Sequence, residues 1–123
     1  MTIALWCVAI AAVFPILCTS IAKGGSLRNY DNRNPRDWLG RQQGYQARAN
    51  AAQQNSWEAL AVFSAGVFAA HLAHAPQARV DLLAEIFVVV RFIYLACYLA
   101  DLAALRSAVW FVGFGLSIAL FFT

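Results

Sequence analysis

Charge is scarce in this chain: Asp, Glu, Lys and Arg make up 12% of its 123 residues, against 62% hydrophobic. A soluble domain this small needs more polar surface than that, which argues against a water-soluble fold. Cysteine is sparse too, and Cys7, Cys18 and Cys97 all fall inside apolar runs. An odd number so placed reads as buried thiols and excludes a disulfide framework, and no spacing among them suits zinc. The sequence has no glycine-rich phosphate loop and no nucleophile elbow. It has no aromatic–basic pattern for nucleic acid, no repeat and no low-complexity tail. One domain is expected, with no nucleic-acid partner.

What is present is a set of long apolar segments. Thr2 to Ala22 carries no charged side chain, which is long enough to cross a hydrocarbon core that takes ~20 helical residues. Without a positive leading region or a small-residue cleavage site, it reads as a retained helix, bent at Pro15. Further helices are expected at about 48–74, 80–100 and 107–123, giving an all-α integral membrane four-helix bundle. The stretch 23–45, with Gly24, Gly25, Asn29, Asn32, Asn34 and Pro35, has loop chemistry. It also holds Lys23, Arg28, Arg33, Arg36 and Arg41, whereas the turn near Pro76 offers only Arg79 and the last turn only Arg106. The positive-inside rule puts the first and third loops in the cytoplasm and both termini on the opposite side.

Polar residues interrupt the second and third segments. Arg48, Ala52, Asn55, Ala59 and Gly66 form one helical stripe, with Glu58 a turn beyond Asn55. A carboxylate so deep costs on the order of 3 kcal/mol in lipid, so Glu58 should face the bundle and find a partner. Arg91, Tyr94 and Tyr98 recur at helical spacing on the third segment. Glu58 lies ten residues in from Arg48 and Arg91 eleven back from Leu102. At ~1.5 Å per residue both sit ~15 Å below the cytoplasmic surface, which predicts a Glu58–Arg91 ion pair or shared network. Taken singly, each of the two residues suits a structural or a ligand role. The whole set suits a polar cavity, in which cations, phenols and an amide receive carboxylates and Glu58 receives an ammonium group. A zwitterionic peptide satisfies both.

Other polar residues have simpler readings. His71 and His74 lack a third ligand and read as interfacial, so no metal site is expected. Asp81 reads as solvated, Glu85 as partly buried, and Trp38 as lying on the membrane surface. Gly66, Gly113 and Gly115 suit close helix contacts.

The pattern Arg48-Ala-x-x-Ala-x-x-Asn55-x-x-Glu58-x-x-x-x-Phe63 resembles the second-helix signature of the MAPEG family, the membrane-associated proteins in eicosanoid and glutathione metabolism. Arg91-x-x-Tyr94-x-x-x-Tyr98 resembles that family's third-helix motif, and the resemblance spans nearly the whole chain. It implies a homotrimer holding glutathione as cosubstrate in a cleft between subunits, near the cytoplasmic face. Asn55 and Glu58 would bind its backbone or amino group, and Tyr94 and Tyr98 would line the site. Arg91 would order Glu58 or meet a carboxylate. Arg106, followed by Ser107, resembles the arginine that stabilises the glutathione thiolate. The place of a further family arginine, one turn before the Asn, is taken by Ala51; Arg48, Arg28 or Arg33 would substitute. With no tyrosine after Glu58, the chain resembles the less specialised bacterial branch, which implies an inner-membrane location.

The activity so implied is a glutathione-dependent transferase or peroxidase acting on lipophilic electrophiles that arrive from membrane lipid. The Ala51 departure keeps a second reading open, a non-catalytic membrane protein that binds lipid or modulates a partner. A transporter is disfavoured, because Ser64 is the only polar side chain between Ala59 and Ala70.

Overall fold

A computed structural model describes residues 1–24 and 29–123. Among the described residues five α-helices follow in order: α1 (Ile3–Lys23), α2 (Pro35–Gly40), α3 (Tyr45–Leu72), α4 (Gln77–Leu99) and α5 (Ala103–Ala119), the last running into a 3-10 turn at Leu120–Phe122. No strand occurs among the described residues. α1, α4 and α5 with its terminal turn are each long and apolar enough to cross a membrane. α3 is the longest helix at 28 residues, about 42 Å at ~1.5 Å per residue, but its polar first half lowers its hydropathy. Together the four long helices form the expected all-α bundle, with α1 packed along α3 and α4 against α5.

Helix periodicity builds the core. On α3 the buried positions are Ala49, Ala52, Ser56, Phe63, Gly66, Val67 and Ala70, a stripe of three- and four-residue steps. Small residues on it let neighbours approach. A Cβ on Gly66 would stand 2.8 Å from the Ser117 carbonyl oxygen and 3.0 Å from Leu120 Cβ, so α3 and the end of α5 meet backbone to backbone there. Phe63 stacks on Phe87 of α4, with ring centroids 3.9 Å apart. α1 continues through Pro15, and Thr19 Oγ1 donates to the Pro15 carbonyl at 3.0 Å.

Two tight turns set the long helices antiparallel. α3 ends with Ala75 N donating to Ala70 O and His74 in the left-handed region (φ 54°). α4 ends the same way, with Leu102 N donating to Cys97 O and Asp101 at φ 59°. Each is a Schellman-type closure that leaves few orphan carbonyls, made with a residue other than the usual glycine.

Three sequence readings are corrected at the periphery. Asp81 is a clasp rather than a solvated carboxylate: its Oδ1 accepts from the backbone N–H of Ala4 and from Gln77 Nε2, both at 2.8 Å. It thereby satisfies an orphan donor at the start of α1, where Thr2 Oγ1 also accepts from Leu5 N and lies 3.0 Å from His71 Nε2. Glu85 is exposed rather than partly buried. Trp38 is buried in the first loop, where α2 packs it with Leu39 against Ala22 and Ala49, and its Nε1 donates to Asn29 O at 2.7 Å.

Candidate functional site

The register between α3 and α4 positions the site. Arg48 Nη2 donates to Leu99 O and Arg91 Nη2 donates to Ser56 Oγ, each at 3.0 Å. Ser56 lies eight residues beyond Arg48, and Arg91 eight before Leu99, so both contacts belong to one antiparallel register. The expected register paired Glu58 with Arg91, two residues further along α3. Two residues turn a helix by ~200°, which carries Glu58 to the far side from Ser56. Glu58 is accordingly exposed on the single chain, and the predicted Glu58–Arg91 ion pair does not form. The one ion pair among the described residues is Arg41–Asp37 on the exposed loop helix.

The sequence-selected residues divide between two adjoining cavities. The first, of about 210 Å³ between α3, α4 and α5, is lined by Asn55, Glu58 and Arg91 together with Phe87, Trp110 and Ser117. Asn55 lines this cavity, and its Oδ1 is buried without a hydrogen-bond partner among the described residues. The second cavity, of about 220 Å³, is lined by Tyr94, Tyr98, Arg106 and Ser107, with Trp110 and Phe111. A run of aromatic and cationic groups connects the two. The Arg91 guanidinium lies over the Tyr94 ring at 4.2 Å, Tyr94 meets Tyr98 edge-on at 5.5 Å, and Arg106 lies over the Tyr98 ring at 4.5 Å.

Arg48 lines neither cavity. It reaches the C-terminal end of α4, where a cation at exposed carbonyls is favourable. Arg28 lies outside the described residues. Sequence reasoning missed Ser56 and Trp110. Trp110 lies four residues after Arg106, hence on the same face of α5, and helical spacing from Arg106 would have found it. Ser56 had no comparable signal, because its importance depends on the register.

This arrangement offers a cation, a carboxylate and an amide at one cavity, and a cation with two phenols at the next. The fold and the polar set define an all-helical membrane protein with an internal polar site. Residues 3–123 match the MAPEG family, and the chain belongs to it. Comparison with curated proteins and with solved structures gave no match.

Proposed function

We propose that the protein is a glutathione-dependent membrane enzyme, a transferase or peroxidase that turns the glutathione thiolate on lipophilic electrophiles. The observation that carries this reading is the convergence of Asn55, Glu58 and Arg91 on one cavity, with Arg106, Tyr94, Tyr98 and Ser107 on the next. Family membership supports a glutathione-related role. The zwitterionic end of the tripeptide occupies the first cavity, where Asn55 offers its side-chain amide beside Glu58 and Arg91. The thiol reaches the second cavity, where the Arg106 guanidinium favours its ionised form. The thiol proton passes to water, and the thiolate then attacks an electrophilic centre of a substrate delivered from the bilayer, forming the new bond to sulfur as the electron pair of the bond broken there leaves with the displaced group.

Assembly as a homotrimer fits the outer face of α3. Gln54, Glu58, Ala61, Ala65, Phe68 and Leu72 are all exposed and recur at alternating steps of four and three. Such spacing, with small residues at its centre, suits helix pairing, and a second copy would take Gln54 out of lipid while leaving Glu58 to the first cavity. The basic loop fits a cytoplasmic site opening, with both termini on the other side of a bacterial inner membrane.

Calorimetry of glutathione binding to the detergent-purified protein, with Glu58→Gln alongside, tests the reading. Saturable binding that weakens in the variant is expected. So is an ultraviolet thiolate absorbance on the wild type that Arg106→Ala abolishes without changing oligomer size. A folded wild type that does not bind glutathione overturns the proposal. It would favour instead the non-catalytic lipid- or partner-binding role that Ala51, in place of a family arginine, first suggested.

A further inference from the structure

Arg91 is 5% exposed, and the only side-chain acceptor it meets among the described residues is the neutral hydroxyl of Ser56, itself 3% exposed. The geometry of that hydroxyl is fixed from the other side. Ser56 Oγ donates to Ala52 O at 2.7 Å, which spends its single proton and leaves a lone pair facing Arg91 Nη2. The rings of Tyr94 and Phe14 lie 4.2 and 5.9 Å from the guanidinium carbon and add no neutralising charge. A buried cation with a neutral partner is costly until an anion joins it. Among the described residues Arg91 is also the only cation lining the first cavity, and Glu58, on the opposite side of α3 from Ser56, is the only carboxylate lining it.

We infer that Ser56 is a positioning residue: it holds Arg91 away from Glu58, so that the two charges receive the carboxylate and the ammonium of one α-amino-acid head. The inference rests on the glutathione reading above and specifies how the γ-glutamyl end of the tripeptide is held. A head carrying both charges on one carbon needs a cation and an anion that share a cavity without neutralising each other. Had Glu58 and Arg91 paired, binding would first have to break that pair. Ser56 removes the competition by giving Arg91 an uncharged anchor. With Ala51 where a family arginine would stand, Arg91 supplies from α4 the positive charge that α3 lacks at this cavity.

The test compares glutathione with 4-aminobutanoyl-cysteinylglycine, which keeps the amine, the thiol and the glycine carboxylate but lacks the α-carboxylate. Calorimetry on the full-length protein should show wild type preferring glutathione by about tenfold or more, a typical margin for a charge-assisted contact. In Ser56→Ala the preference should fall below about threefold, and Ser56→Thr, which keeps the hydroxyl, should restore it. Ser56→Cys, nearly isosteric but a weak acceptor, carries the same expectation if the alanine variant does not fold. In turnover assays the alanine variant should raise KM for glutathione and leave kcat within about twofold, a split that general loosening of the bundle would not give. Full discrimination in Ser56→Ala, or none in the wild type, overturns the inference and leaves glutathione binding intact. A wild type that binds neither compound overturns the glutathione reading as well.

Discussion

The guanidinium of Arg106 lies over the ring of Tyr98, 4.5 Å from its centroid, and both residues line the same cavity. The ring face thus orients the cation proposed to hold the thiolate, while the phenol oxygen makes no hydrogen bond to it among the described residues. Such contacts are worth about 0.5–1 kcal/mol where partly exposed. Tyr98→Phe should therefore keep turnover within about twofold. Tyr98→Leu should lower it by about two- to fivefold while glutathione affinity changes little. Equal loss in both variants would show that the hydroxyl, not the ring, matters.

Gly66 marks the closest approach between α3 and α5. In Gly66→Ala the new methyl would meet backbone at Ser117, which cannot move aside as a flexible side chain would, so a loss of about 1–3 kcal/mol is expected. Gly115 is the control, since a Cβ there meets nothing within 4 Å. Gly115→Ala should be neutral or stabilising by up to about 1 kcal/mol, as alanine is the better helix former. Denaturant titrations of the two variants in the same detergent would separate these outcomes.

His74 and Asp101 occupy left-handed backbone where glycine is at ease, and neither side chain has a hydrogen-bond partner among the described residues. His74→Gly and Asp101→Gly should each raise stability, by about 0.5–1 kcal/mol, by relieving contact between Cβ and the following carbonyl. A thermal-shift assay reads the effect. A lowered midpoint would mean that these side chains hold their turns in some other way.

The helices were legible because long uncharged runs have few other fates, and the polar set was legible because charge inside such runs is conspicuous. Asn55, Glu58 and Arg91 do share a cavity, as expected from their depth. That Glu58 and Arg91 would not pair was not legible: a depth argument resolves ~1.5 Å per residue, and an error of two residues turns a side chain ~200°, to the other side of the helix. The exposed or buried state of Trp38 and Asp81 also escaped the sequence, since each is set by a partner remote along the chain. Trp38 is enclosed by Ala22 and Ala49, and Asp81 reaches α1 some 77 positions away. Trp110 was within reach of helical spacing from Arg106, although an aromatic residue in a membrane helix reads equally as packing.

The two contacts that set the α3–α4 register, Arg48 to Leu99 and Ser56 to Arg91, have a mechanical consequence. Greasy helix surfaces in a bilayer can glide along one another with little change in energy, since lipid tails and neighbouring side chains are much alike. These polar contacts act as two rivets through adjoining rods. Sliding either helix by one residue shears both together and strands the buried Arg91 donor where no water can replace the lost acceptor. The level at which Arg91 sits against α3 is thereby fixed independently of lipid thickness, and a bilayer thinner or thicker than usual would tilt the rods as a unit rather than shift one along the other.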